Sequence, residues 1–235
     1  MAYDKAVDST VLENGLTQIA DAIREKTGTG GTLTFPSGFV SAIEGLSGGS
    51  ATEPYIEETY DANGQLIDAV MHGYTQIRSN AFAYCGGLVS VSGISAITSI
   101  GYSAFQNCTN LALTSLPAGL TSIANYTFQN CSNLALTSLP AGITSISSSA
   151  FRDCSNLALT SIPAGITSIG NYTFQNCIGL TTITFEGTPQ SINSSAFDGC
   201  ANLTTINVPW AEGAVANAPW GATNATINYN YTPEG

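Results

Sequence analysis

The chain has 235 residues, enough for one large domain or a domain with a small companion. Charged residues make up only 9%, and five Lys and Arg face sixteen Asp and Glu for a net charge of −11; phosphate backbones are held by Lys and Arg, so nucleic acid is excluded as a partner. The single histidine excludes most His-based catalysis and metal chemistry, and no run approaches the roughly 18 apolar residues of a membrane span, so membrane insertion is not expected.

The first eight residues lack the basic start and apolar core of a secretory signal. The chain is therefore expected not to leave a cell by the general secretory route. Residues 9–27 read as a helix, because Leu12, Leu16, Ile19, Ala20 and Ile23 repeat with a 3.6-residue period. Asp8 or Ser9 suits its start, and Lys26 with Gly28 its end. Pro36-Ser37 opens a second short helix that ends near Gly45. Two such helices cannot bury both apolar stripes alone. Residues 1–46 are thus expected to be an attachment or oligomerisation segment, with Leu12, Leu16, Ile19 and Ile23 as its contact stripe. Residues 47–54, rich in Ser and Gly, read as a linker.

Residues 55–70 read as a β-hairpin turning at Asn63-Gly64. With the segment to 81 they form an N-terminal cap and a first partial repeat. From there internal repetition dominates. Phenylalanines stand at 82, 105, 128, 151, 174 and 197, and all six cysteines at 85, 108, 131, 154, 177 and 200. Isoleucines at 77, 100, 123, 146, 169 and 192 keep the same 23-residue step. Residues 105–127 and 128–150 agree at 17 of 23 positions. Each unit is read as two short strands, such as 134–139 and 143–146, separated by a Pro-Ala-Gly turn. Stacking aligns the strands in parallel, making 82–209 a solenoid with Phe82, Phe105, Phe128, Phe151, Phe174 and Phe197 as a core column. Three central units place Leu or Ile at +3, +5 and +8 from their cysteine rather than +3, +6 and +8, so their first strand is expected to be rebuilt locally. Residues 210–235 break the repeat and read as a C-terminal cap.

The cysteine spacing fits neither a metal site, whose ligands cluster in close pairs, nor a disulfide. Cys85, Cys108, Cys131, Cys154, Cys177 and Cys200 are therefore read as a reduced, buried column of small hydrophobes. His72 is read as a packing or surface residue. No phosphate loop, hydrolase elbow or zinc-helix pattern is present, so no catalytic residue, metal or cofactor is expected. What remains is a surface dense in uncharged Ser, Thr, Asn and Gln. Tyr84, Tyr102, Tyr126 and Tyr172 supply stacking faces, and Arg152-Asp153 is the one charged pair in the repeats. These six are the candidate ligand-binding residues.

The Phe-x-x-Cys-x-x-Leu core, with Thr-Ser-Ile five residues before the next Phe, resembles the BspA-like (Treponema-type) leucine-rich repeats over about residues 74–209. The resemblance implies a mainly β fold: a leucine-rich-repeat solenoid of six 23-residue units with short parallel strands, after a small helical segment. Many such proteins are bacterial surface adhesins. Residues 16–28 and 33–43 resemble an N-terminal segment of tail-fibre-type proteins in phages and prophages of Gram-positive gut bacteria. Together these imply a non-enzymatic receptor-binding or accessory tail protein of a virion, made in the cytoplasm and released by lysis. Its expected partners are a host cell-surface glycan or protein, other tail proteins, and sister copies joined through the N-terminal helices. The alternative is a cell-surface adhesin of the BspA-like class.

Overall fold

A computed structural model describes residues 54–232. In chain order its strands are β1 (Tyr55–Tyr60), β2 (Leu66–His72), β3 (Gln76–Ile77), β4 (Ser90–Ser92), β5 (Ser99–Ile100), β6 (Ser122–Ile123) and β7 (Ser145–Ile146). There follow β8 (Ser161–Ile162), β9 (Ser168–Ile169), β10 (Thr182–Phe185), β11 (Ser191–Ile192), β12 (Thr205–Asn207) and β13 (Thr226–Asn228). Among the described residues there is no helix. The two expected N-terminal helices, with Leu12, Leu16, Ile19 and Ile23, lie outside the described residues.

The antiparallel hairpin β1–β2 opens the fold. Gly64 takes the positive φ that its turn requires, and the Asp61 carboxylate accepts the Asn63 and Gln65 N–H groups at 2.8 Å. β2 then pairs in parallel with β4, so the hairpin closes one end of the parallel stack. Its hydrogen bond from the Ser90 hydroxyl to the Asp68 carboxylate ties cap to first turn. His72 stacks on Tyr55 at 4.4 Å, with Nε2 3.6 Å from the Glu57 carboxylate.

Strands then line up one turn above another. On one side β6, β7, β9 and β11 join in that order, each isoleucine beside the isoleucine 23 residues away. On another side β8, β10, β12 and β13 do the same, so the parallel column continues past 209 into the C-terminal segment. The whole makes about seven turns, where six units were expected. The extra coverage comes from the ends: β2 and β13 occupy repeat positions without carrying the repeat's sequence.

A third side holds the phenylalanines. Alternate residues around each Phe donate their N–H to the next turn: Tyr126, Phe128 and Asn130 bond Ser148, Ala150 and Arg152 carbonyls at 2.8–3.1 Å. Two left-handed residues per turn allow this. Asn80, Ser103, Tyr126, Ser149 and Tyr172 form one such column, and Tyr84, Asn107, Asn130, Asp153, Asn176 and Gly199 the other, with φ between 51° and 69°. Asn, Asp and Gly tolerate that region best, which explains the asparagine column before each cysteine. The Phe rings stack at 5.1–5.6 Å with interplanar angles of 2–12° and are buried throughout.

The cysteines do more than fill space. Cys108, Cys131, Cys154, Cys177 and Cys200 each donate Sγ–H to the carbonyl of the Phe 26 residues earlier, at 2.9–3.0 Å. The same carbonyl accepts the N–H of its own turn's cysteine, so both lone pairs are used. Burial pushes the thiols of Cys108 and Cys200 up to about 12, and those of Cys131, Cys154 and Cys177 well above the ordinary value. Cys85 departs from the expected buried column. It heads the stack with no Phe turn beneath it, and it is only half-buried. A thiol reagent at mild pH is expected to label Cys85 alone in the native protein, with the other five reacting only on denaturation. Rapid labelling of two or more native thiols would contradict this burial.

The expected first strand at 134–139 does not form. Two consecutive units, those after Cys108 and Cys131, have no strand on that side, and the third keeps only β8. Leu134 and Leu136 alternate inward as a strand would, but the next buried leucine, Leu139, comes three residues later. An odd step forces the backbone to twist, and Pro140 beyond it has no N–H to donate. The unit after Cys177 instead buries Ile183 and Phe185, two apart, and forms β10. Single inter-turn bonds, such as Ala135 N–H to the Leu113 carbonyl at 3.2 Å, hold the interrupted side together. At the far end Trp210, Trp220 and Phe185 cluster at 5.3–6.3 Å and close the core.

Candidate functional site

Most side-chain amides of the repeats, and several of the hydroxyls, are already engaged. The hydroxyls of Thr98, Thr144, Thr167 and Thr204 donate to carbonyls 23 residues earlier at 2.9–3.4 Å. Gln106 donates to Gln129 at 2.6 Å, Asn130 to Asn107 at 2.7 Å and Asn176 to Asp153 at 2.8 Å. Such ladders bind turn to turn, and they leave these groups less to offer a ligand.

One side differs. Along the flank of β7, β9 and β11 runs an open groove of about 520 Å³. Asn125, Ser148 and Asn171 line it as one column, one residue per turn. Ser147 and Asn193 belong to the neighbouring column, with Gly170 between them as floor. A Cβ on Gly170 would lie 2.5 Å from the Ser148 nitrogen, so close packing of backbone on backbone requires glycine there. Ser168, Ser191 and Asn217 complete the polar rim. None of these lining residues is charged. The side chains of Asn125, Ser147, Ser148, Asn171, Ser168, Ser191 and Asn217 have no hydrogen-bond partner among the described residues. Asn193 uses only its Oδ1, which accepts the Ser195 N–H at 3.0 Å. An unladdered amide or hydroxyl both donates and accepts, so this groove offers a ligand open amides and hydroxyls side by side.

The sequence-derived candidates distribute unevenly around it. Tyr102 does not line the groove but extends its main column by one turn: the carbonyls of Tyr102, Asn125, Ser148 and Asn171 accept equivalent N–H bonds from successive turns. The residue is 48% exposed, and its ring meets Tyr126 edge-on at 5.4 Å. Tyr126 and Tyr172 are half-buried in left-handed conformation and directly follow Asn125 and Asn171 in the chain. Arg152 and Asp153 lie together, Nε 3.2 Å from Oδ2, on the Phe side rather than in the groove. Tyr84 is elsewhere: it lines a separate hollow of about 390 Å³ with Gln65, Leu66, Cys85 and Gly87. Sequence reasoning missed Asn125, Ser147, Ser148, Asn171 and Asn193. Their signal was there, however: Tyr, Asn, Ser and Asn succeed one another at 102, 125, 148 and 171, a variable column inside otherwise uniform units. Among the described residues no three His, Cys, Asp or Glu side chains gather to hold a metal, and no helix is long and apolar enough to cross a membrane.

Comparison with known proteins agrees with the stacked-turn geometry. The BspA type leucine rich repeat region matches in six copies over residues 75–204. The chain belongs to the BspA type leucine rich repeat family. Among solved structures, this BspA type protein is similar to a leucine rich repeat protein of T. pallidum, at 25% identity and a TM-score of 0.51, over 65% of this chain and 81% of that one. It shares its fold with a leucine-rich repeat protein of Bacteroides ovatus ATCC 8483, at 23% identity and a TM-score of 0.51 over 68% of this chain. It spans 47%, about half, of the Bacteroides ovatus chain. No curated protein matches it.

Proposed function

We propose that this BspA type protein is a non-enzymatic adhesin that acts at a bacterial cell surface and engages its partner through the polar groove. The observation that carries this reading is the contrast between spent and unspent polar groups. Elsewhere the repeats bond most of their side-chain amides, many of them turn to turn, whereas Asn125 and Asn171 keep theirs open on the groove. Catalysis has less support. The three acids of the repeats stand on separate turns; Asp153 is engaged by Arg152 and Asn176, and Asp198 by Gln175. Surface location follows from the family resemblance. The tail-protein reading rests on residues 16–43, outside the described residues, and no comparison carries it.

One experiment tests both locations. Antibody against the solenoid is expected to label intact cells of the encoding strain, and a deletion strain is expected to adhere less to its target surface. Recovery of the protein in phage-like particles, with unlabelled cells, would overturn the adhesin reading in favour of a tail protein.

A further inference from the structure

Resting on the groove as the binding face, we infer that its ligand is an uncharged polysaccharide chain lying along the stack, with one sugar stacked on Tyr102. Charge decides first. No lining residue is cationic, so an anionic ligand has no counter-ion there, and the chain's net charge of −11 repels it. Chemistry decides next. Sugar hydroxyls donate and accept at once, as do the amides of Asn125, Asn171 and Asn217 and the hydroxyls of Ser147 and Ser148. A protein partner would instead seek a buried apolar anchor, and the isoleucines beneath this groove are themselves covered. Spacing agrees. Successive turns repeat at 5.1–5.6 Å by the Phe rings, close to the length of one pyranose unit in an extended chain. Each turn therefore meets one sugar with the same column position. One turn beyond the groove's lining, next to Asn125 in the same column, stands Tyr102, met edge-on by Tyr126, and a sugar's apolar face stacks on such a ring.

The test screens the full chain against immobilised neutral linear glycans (a β-glucan, a mannan, a xylan), anionic glycans and protein-coated surfaces. Tyr102→Ala and Asn171→Ala are compared with Tyr84→Ala, which lies outside the groove; melting curves check that all three fold. A neutral glycan is expected to bind, and each groove variant to weaken it about tenfold while Tyr84→Ala leaves it unchanged. Binding of anionic glycans only, or neutral-glycan binding indifferent to both groove variants, would overturn the inference. If only a protein surface is bound, and the groove variants abolish that, the glycan assignment falls while the groove stands. If the protein adheres and neither groove variant changes any binding, the groove reading falls as well.

Discussion

At about pH 10 the solenoid is expected to lose about 7 kcal/mol of stability relative to neutral pH, a large part of the 5–15 kcal/mol that holds an ordinary domain. Five buried thiols cause this. In the unfolded chain each ionises near the ordinary value of 9.0, while burial pushes the native thiols of Cys108 and Cys200 up to about 12 and those of Cys131, Cys154 and Cys177 well above the ordinary value. The native state therefore holds more protons than the unfolded state once the pH passes 9.0. Stability is fully present below that pH and falls as the pH rises through the window up to about 12. Each thiol contributes about 1.4 kcal/mol per pH unit, and five act together. Urea unfolding followed by circular dichroism between about pH 8 and pH 10.5 measures the slope. The double variant Cys131→Ala, Cys154→Ala is the control. It removes two of five thiols and is expected to flatten the slope by about two-fifths. A stability independent of pH across this window would mean that the thiols are not held as buried donors.

The second large effect is Phe128→Ala, expected to cost about 3–5 kcal/mol. The ring lies mid-stack, 5.4 Å from Phe105 and 5.5 Å from Phe151, and is fully buried. Its loss opens a cavity and breaks two ring contacts at once. Trp220→Ala removes a side chain as buried as Phe128, with its indole N–H to the Ala216 carbonyl at 2.7 Å, and is expected to cost a similar amount. The consequences differ in place, because each turn touches only its neighbours. Removing Phe128 divides the stack, so the transition is expected to broaden and amide exchange to rise on both sides of the gap. Removing Trp220 frays one end, raising exchange in β12 and β13 while the central turns stay protected. Equal exchange along the chain in both variants would show that the solenoid unfolds as one unit.

The architecture was legible because it rests on period. Phe, Cys and Ile each recur every 23 residues, and a column of identical residues has one simple reading, a stack. The ends and the hairpin at Asn63-Gly64 were legible for the same reason, as breaks in the pattern or known turn chemistry. The cysteine hydrogen bonds were not. A thiol reads as a small hydrophobe until the carbonyl 26 residues earlier is brought within 3.0 Å, and only the fold does that. The interruption of the first strand was legible, in the +3, +5, +8 phase of the apolar residues after three cysteines; that one of these three units would still keep a short strand, β8, was not. The groove was hidden more deeply. Asn171 and Asn176 look equivalent in the sequence, yet the Asn176 amide is bonded to Asp153 while the Asn171 side chain has no hydrogen-bond partner among the described residues. Whether a polar side chain is spent or available depends on its neighbour one turn away.

A structure assembled from near-identical turns also carries a genetic consequence. The coding stretches for residues 105–127 and 128–150 are alike enough in product, at 17 of 23 positions, to invite misaligned crossing-over. Such an exchange would insert or delete one complete turn and leave both capped ends as they are. Every internal bond would reform against an equivalent partner, so the allele would fold without passing through a damaged intermediate. The stack would lengthen or shorten by one turn each time, giving a lineage a stepwise way to vary the length of the protein.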